Sequence, residues 1–457
     1  MKPAAKTELF ETMPIPKAVM TLAVPTVLSS LVMILYNLAD TWFVGLLNDP
    51  IQNSAVTLAA PVLLAFNAVN NLFGVGTSSL MSRALGRRDY DTVSKASAFG
   101  FWCSVFCGLL FSVLVAVFNR PLLDLLGAQS ENLDATRDYL FWTVICGAAP
   151  AILNVVMAYL VRSEGSSLHA SVGTMSGCIL NILLDPVFIL PWGLNMGAAG
   201  AGLATFLSNC VACLYFFVLL LVKRGKTFVC IDPRQFTLRK DIAGEICGVG
   251  VPASIQNLLN VTGMTVLNNF TAAFGSEAVA AMGIAHKIQM IPFYISMGIT
   301  QGIMPLISYN YSSGNARRLK RSFTFSSALS LSFMIVITAL YIVFSVPLIT
   351  VFMKNAQIIA YGSRFLRGMS LAMPFLCMDF LAVAVFQACG MGRRSFVFAV
   401  LRKIVLEIPA LFILNRFFPL YGLAYAQSAA ELVLATAAVV SLLSIFRSLP
   451  QSPTKEA

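Results

Sequence analysis

The segment AVPTVLSSLVMILYNLADTWFVG, residues 23–45, is apolar along its length and contains one charged residue, Asp40. A second segment of this kind, residues 166–190, contains Asp185 as its one charged residue. An acid inside a membrane span costs about 2.5–3.5 kcal/mol on insertion scales, so such acids usually have a function. Both segments are predicted to cross a membrane in the same direction, with each acid near the far end. The pattern predicts a proton or cation site inside a helix bundle; the alternative is that each carboxylate only bonds a neighbouring helix.

Composition indicates an integral membrane protein. The 457 residues are 58% hydrophobic and 11% charged, with a mean hydropathy of +0.80, whereas about 25% of the residues in a soluble domain are charged. Apolar runs close to the roughly 20 residues that span a bilayer recur twelve times along the chain. The charged residues Lys2, Lys6, Glu8 and Glu11 precede the first run, so we expect no cleavable signal peptide. The prediction is an all-α membrane protein with twelve transmembrane helices.

Lysine and arginine are distributed unequally between the two sides of this predicted bundle. Of the 31 basic residues, 22 fall at the termini and in the loops of one side, 6 fall on the other side, and Lys287, Arg402 and Lys403 fall within spans. Basic residues are enriched in cytoplasmic loops. We therefore expect both termini to be cytoplasmic, in the inner (cytoplasmic) membrane of the cell. The net charge of +11 follows from this topology, so no nucleic-acid partner is expected.

The chain repeats itself at offsets between 220 and 230 residues. Val24-Pro25 corresponds to Val251-Pro252, and residues 202–204 correspond to residues 422–424, both Gly-Leu-Ala. A constant order of weakly similar segments indicates a duplication. Because each half has an even number of spans, the halves form a parallel repeat about a pseudo-two-fold axis along the membrane normal, with a cavity between them. The predicted units are an N-lobe of residues 1–222, a cytoplasmic linker of residues 223–240, a C-lobe of residues 241–446 and a tail of residues 447–457.

Two prolines lie inside predicted spans at corresponding positions of the repeat. Pro25 and Pro252 each remove a backbone hydrogen bond and can kink their helices. Proline is common in membrane helices, so static kinks are as compatible with the pattern as hinges.

Motifs for catalysis or nucleotide binding are missing from the sequence. It contains no HExxH, GxSxG or Walker A pattern. Of the ten cysteines, the closely spaced Cys103 with Cys107 and Cys210 with Cys213 lie in apolar segments without histidine or acid at the spacing of metal ligands. We expect no enzyme activity, no metal and no cofactor. Any transport would then depend on an ion gradient or proceed downhill.

Three stretches resemble the multidrug and toxic compound extrusion (MATE) family. They are YNLADTWFVG at residues 36–45, NILLDPVFI at residues 181–189, and GITQG at residues 298–302 within a pattern that runs from Pro292 to Tyr311. The resemblance extends over about residues 15–445. It implies two six-helix lobes, export of organic cations by antiport with H⁺ or Na⁺, and an ion site in the N-lobe. The positions that match this site are Tyr36, Asp40, Tyr139, Asn181, Asp185 and Thr205.

The C-terminal half departs from some branches of that family. The seventh span has Gln256, Asn257 and Asn260 where those branches carry an acid, which argues against their C-lobe sodium site. Asp379 resembles the C-lobe acid of the family. Glu407 lies four residues after Lys403, so we expect an ion pair within the helix. The candidate C-lobe ion residues are Asp379, Gln256 and Glu407.

A cavity that accepts lipophilic cations needs apolar and aromatic walls with few fixed polar groups. The 34 phenylalanines and 19 methionines supply such walls and cation–π contacts, although any membrane helix contains these residues. The candidate substrate contacts are Met33, Asn67, Asn70, Met282 and Met297. We expect a monomer that contacts membrane lipid and binds small cationic drugs.

Three other functions remain open from the sequence. A flippase for lipids or lipid-linked oligosaccharides can have the same superfold, but it needs a basic central cavity, for which Lys287, Arg402 and Lys403 are the candidates. An intramembrane enzyme with paired acids and a passive channel are less compatible with a duplicated twelve-span chain.

Overall fold

The structure, a computed structural model, describes residues 4–449 and is built from long α-helices. Eight helices of this part of the chain are long and apolar enough to cross a membrane, and two bent pairs bring the number to ten. Two further helical segments of similar length, Lys240–Ala272 and residues 392–417, contain more polar residues and bring the number to twelve. The twelve spans, in chain order, are Ile15–Gly45, Pro50–Gly86, Tyr90–Val117, Leu133–Cys146 with Ala148–Ser163, Ser167–Ile189, Ala198–Val222, Lys240–Ala272, Ser276–Ser312, Ala316–Val343, Ala356–Ser370 with Met373–Ala388, residues 392–417, and Tyr421–Ser448.

The two halves of the chain repeat one another element by element. The third and ninth spans begin with equivalent caps, since the side chain of Asp89 accepts from the Thr92 N–H at 3.1 Å and that of Asn315 from the Arg318 N–H at 3.0 Å. Short helices follow these two spans, and the next span of each half is bent, by 49° and 43°. The short helix after the third span is Asn119–Leu126, and the one after the ninth span is Ser345–Phe352. The bent spans that follow them are the fourth and the tenth. The duplication in the sequence is therefore also present in the order of the structural elements.

The halves pack tightly against each other at one end of the spans, which we call the closed end. There Arg83 Nη1 of the second span donates to Glu245 Oε2 of the seventh at 2.9 Å. Ser79 Oγ donates to the carbonyl of Gln387 at 2.5 Å, and Ser308 Oγ donates to the carbonyl of Ser79 at 3.1 Å. The hydrogen bond between the halves that lies farthest from this end joins Ser254 Oγ to the Ala68 carbonyl at 2.5 Å. In residues 4–449, the other hydrogen bonds between the halves lie closer to the closed end.

A short helix before the first span, Ala4–Glu11, lies across the closed end. The Phe10 ring stacks on Tyr309 with 4.8 Å between centroids, and the Tyr309 hydroxyl donates to Glu11 Oε1 at 2.6 Å. Arg318 donates to the carbonyls of Phe10 and Met13, both at 2.6 Å. This contact ties the start of the chain to the eighth and ninth spans. Two of the basic residues counted at the termini, Lys2 and Lys455, lie outside the described residues.

The first span also packs closely against the eighth span. A Cβ added at Gly298 would lie 2.8 Å from the Cα of Val27, and one added at Gly302 would lie 2.8 Å from the Cα of Ala23. Small residues spaced by four let membrane helices approach at backbone distance. Pro25 lies between the two contact points, so the proline of the first span sits at its crossing with the other half.

Candidate functional site

Asn181 and Asp185 lie one helical turn apart on the buried face of the fifth span, with 1% and 0% of their surfaces exposed. The amide orientation of Asn181 that satisfies its neighbours has Nδ2 donating to Asp185 Oδ2 at 2.9 Å. Its Oδ1 then accepts from the Thr205 hydroxyl at 3.2 Å and from the Thr205 N–H at 3.1 Å. The Asn181 side chain therefore connects Asp185 to the sixth span.

Asp40 of the first span faces this pair. It is half-buried, and its Oδ1 is enclosed without a hydrogen-bond partner among the described residues. Its carboxylate and that of Asp185 are close enough to interact electrostatically. Tyr36, one turn earlier on the same helix, lies beside Thr205 and interacts electrostatically with Asp40 and Asp185. Tyr139 of the fourth span is buried and interacts electrostatically with both acids.

All six residues predicted for the N-lobe site thus lie in one cluster built from the first, fourth, fifth and sixth spans. Neither Asp40 nor Asp185 forms an ion pair in the described part of the chain. A buried carboxylate without a basic partner is costly when ionised. Binding a proton or a small cation removes that cost. The cluster offers oxygen atoms from two carboxylates, three hydroxyls and the Asn181 amide for either ligand.

The acids of the C-lobe have basic neighbours instead. Arg402 Nε lies 2.7 Å from Glu431 Oε1, and its Nη1 lies 3.8 Å from Asp379 Oδ2. Lys403 Nζ lies 2.6 Å from Glu407 Oε2, which confirms the ion pair expected from their spacing. The contact between Arg402 and Asp379 joins two different spans, so sequence spacing gave no sign of it. Arg402 and Lys403 offset two of the three negative charges that these acids carry when ionised, and both Asp379 oxygens lack a hydrogen bond among the described residues.

The remaining candidates occupy varied positions. Gln256 Oε1 accepts from Gln387 Nε2 at 3.4 Å, so it bonds the tenth span rather than an acid. Pro25 and Pro252 lie inside unbroken helices as expected, half-buried and buried respectively. The predicted substrate contacts divide into the exposed Asn67, the half-buried Met33 and Met297, and the buried Asn70 and Met282.

Met282 needs a correction. It is 1% exposed and packs in an apolar cluster of the C-lobe with Leu267 and Tyr341. In this conformation it presents no surface to a cleft, because its position on the eighth span faces the other C-lobe helices. Helical periodicity alone could not separate this inward face from the cavity face.

Polar side chains that the sequence reasoning missed are exposed on the first and seventh spans, on the far side from the closed end. Asn37 and Thr41 bond back to carbonyls of their own helix, as do Thr262 and Thr265. Exposed polar groups within a span are expected to face a water-filled cleft rather than lipid. The spacing of four residues between Asn37 and Thr41, and of three between Thr262 and Thr265, is the sequence pattern that could have predicted a polar face on each helix.

Two packed lobes of six spans, with buried acids beside a polar cleft, define a membrane transport protein. The MatE family model matches residues 25–187 and again residues 252–413, so the chain belongs to the MATE family of multidrug efflux transporters. The two matches begin at Pro25 and Pro252, the prolines paired by the internal repeat. The expected fold, with twelve helices in two lobes, is confirmed.

Relatives and solved structures agree with this assignment. Multidrug export protein MepA of Staphylococcus saprophyticus is 32% identical over 443 residues, 94% of each chain. MepA of Staphylococcus aureus strain MRSA252 is 30% identical over 433 residues, also 94% of each chain. A MATE transporter of the MOP superfamily in an outward-facing conformation is 26% identical with a TM-score of 0.91, over 98% of this chain and 99% of that one. A MOP superfamily transporter from Pyrococcus furiosus, whose reversed pocket polarity suggested a different function, is 25% identical with a TM-score of 0.90, over 99% of this chain and 100% of that one.

Proposed function

We propose that this protein is a secondary active antiporter that exports lipophilic organic cations in exchange for protons. The observation that carries the proposal is the pair of carboxylates, Asp40 and Asp185, which lack a basic partner while Oδ1 of Asp40 lacks any hydrogen-bond partner in the described chain. Such a pair binds a proton or cation and changes the local charge when it does so. The MepA relatives, named as multidrug export proteins, support the direction and the class of cargo.

The mechanism is alternating access of the two lobes. A proton enters from outside through the polar cleft and neutralises the acid pair, which lets the first span repack near Pro25 against the eighth. This movement releases the drug outward. Deprotonation on the cytoplasmic side then restores two carboxylates, which favour rebinding of a cation. Met33, Met297 and Asn67 are the substrate contacts retained in this proposal.

The proposed orientation makes the closed end cytoplasmic, with both termini inside the cell and the protein in its inner membrane. The cleft with Asn37 and Thr262 then opens outward. The proposed division is an N-lobe of residues 1–222, a linker of residues 223–240, a C-lobe of residues 241–446 and a tail of residues 447–457. We propose that one such chain, surrounded by lipid, is the functional unit.

Protons are preferred over Na⁺ because the seventh span carries Gln256, Asn257 and Asn260 in place of an acid. Na⁺ remains the alternative, since the oxygens of the acid pair suit it as well. A lipid-linked oligosaccharide flippase is disfavoured, because Arg402 and Lys403 are engaged by Glu431 and Glu407, which leaves Lys287 as the one of the three candidates still able to make a cavity basic.

The test is transport in liposomes that contain the purified protein and a fluorescent lipophilic cation such as ethidium. An imposed pH gradient in sodium-free buffer should drive ethidium movement, and a protonophore should stop it. A Na⁺ gradient at equal pH on both sides should drive none. Movement that requires Na⁺ and ignores the pH gradient would assign the coupling to sodium, and movement under neither gradient would refute antiport.

A further inference from the structure

A second cavity lies at the closed end, far from the acid pair. Its volume is about 400 Å³, and it is lined by the ends of the second, eighth and twelfth spans and by the starts of the ninth and eleventh. One wall is basic and polar, and the other is apolar. The basic and polar wall includes Arg83, Arg87 and Asn310, and the apolar wall includes Leu319, Met391 and Ile445.

Arg83 is the buried charged residue in the wall of this cavity. Its side chain is 10% exposed and Nη1 donates to Glu245. Its Nε and Nη2 atoms are enclosed and have no hydrogen-bond partner in the described chain. These two atoms are closed off by protein, so Arg83 contributes a buried positive charge to the cavity wall, and direct contact with an acceptor in the cavity requires its side chain to shift.

The surrounding charge is positive. Arg87 also lines the cavity and interacts electrostatically with Arg83, and Arg394 interacts electrostatically with Tyr311, another lining residue. Glu245 is the acid that pairs with this group in the described residues. Arginine forks bind the oxygens of phosphate groups in pairs. Basic pockets between membrane helices on the cytoplasmic side bind anionic lipid head groups.

We propose that the closed-end cavity binds the phosphodiester head group of an anionic phospholipid, with its acyl chains along the apolar wall. A free phosphate ion has the same acceptor chemistry but makes no use of Leu319, Met391 and Ile445. The lipid contacts the second span through Arg83 and the C-lobe through the other wall. A bound lipid therefore joins the two lobes at this end and stabilises the state in which it is closed.

The test is lipid binding to the purified full-length protein, measured by native mass spectrometry during titration with phosphatidylglycerol or phosphatidylcholine. Phosphatidylglycerol should bind with clear preference. The variant Arg87→Ala should weaken this binding about fivefold, the effect of removing one basic residue from an anionic lipid surface. Ser448→Trp should also weaken it, because this exposed residue lines the cavity and the change fills space without altering charge.

Arg234→Ala is the matched control, since Arg234 is exposed in the linker and does not line the cavity. It should leave phosphatidylglycerol binding unchanged. Equal binding of the two lipids, or unchanged binding in both Arg87→Ala and Ser448→Trp, would overturn the proposal. A third titration uses inorganic phosphate. If phosphate binds tightly and displaces phosphatidylglycerol, the site belongs to the free ion and the proposal of a lipid site is refuted. Because binding is measured without a gradient, these results are separate from the test of antiport.

Discussion

At the scale of single residues, the acids inside the spans differ in whether a basic side chain lies beside them. Asp379, Glu407 and Glu431 have Arg402 or Lys403 within 4 Å, whereas Asp40 and Asp185 have no such neighbour in the described chain. A paired acid contributes to structure, and losing its partner leaves an uncompensated charge. An unpaired acid is free to exchange a proton or cation. The same residue type is therefore expected to respond differently to substitution in the two lobes.

Replacing Asp40 or Asp185 by Asn should abolish gradient-driven efflux, reducing it to the level of liposomes without protein, while the chain still folds and inserts. An amide has nearly the shape of a carboxyl group but does not bind a proton in this range. Efflux assays on proteoliposomes, with folding checked by size-exclusion chromatography, provide the measurement. Asp124→Asn, at an exposed position outside the spans, is the control and should transport normally. Full efflux by Asp40→Asn would refute the N-lobe ion site.

Replacing Glu407 by Gln should mainly affect stability. The change leaves Lys403, 7% exposed, without its carboxylate partner, and breaking a buried ion pair in this way costs about 3–5 kcal/mol. Unfolding in detergent should shift accordingly. The double variant Lys403→Met with Glu407→Leu removes both charges and should recover most of the loss. A stable Glu407→Gln protein without coupled transport would instead place Glu407 in the ion pathway.

At the scale of helical elements, three spans contain wide turns with i→i+5 hydrogen bonds. They are Asn71–Val75, Phe141–Cys146 and Leu401–Glu407. Such turns occur often at functional sites, because they shift the face on which later side chains lie. One of them follows Tyr139 closely, and another carries Arg402 and Lys403. Hydropathy does not register these turns, since they leave the apolar character of a span unchanged, so the sequence did not predict them.

The crossing of the first and eighth spans depends on glycine. Gly302→Leu places a side chain against the backbone of Ala23, so the lobes should no longer pack fully at the closed end. In a variant that keeps buried Cys389 as its sole cysteine, thiol labelling should rise clearly. Gly283→Leu on the same helix is the control, because nothing lies within 4 Å of its added Cβ. Equal labelling of the two variants would mean that this crossing does not control closure.

Pro25 lies at the same crossing, and Pro25→Ala should restore the backbone hydrogen bond of the first span. A stiffer first span should slow ethidium transport several-fold in the liposome assay while ethidium binding persists. Pro61→Ala, at an exposed position inside the second span, tests whether any proline of the spans has this effect. Normal transport by Pro25→Ala would make Pro25 a static kink.

At the scale of the whole molecule, hydropathy and the repeat were enough to predict twelve spans and two lobes, because lipid imposes a length and a polarity on each helix. The spacing of Lys403 and Glu407 likewise predicted their pair. Contacts between spans that are distant in the sequence could not be predicted from hydropathy or from spacing. The approach of Arg402 to Asp379, the burial of Met282 and the cavity at Arg83 all depend on how helices rotate and pack, which periodicity does not determine.

The orientation of the molecule decides what its closed end and its cleft can do. In a chain whose ten cysteines are replaced by serine, Ser130→Cys and Ser276→Cys lie in exposed positions opposite the closed end. An impermeant maleimide should label both in intact cells, whereas Arg234→Cys in the linker should react only after permeabilisation. This result follows if the basic loops are retained inside. The opposite pattern would turn the cleft toward the cytoplasm, and protons from outside would then reach Asp40 only after the lobes had rearranged.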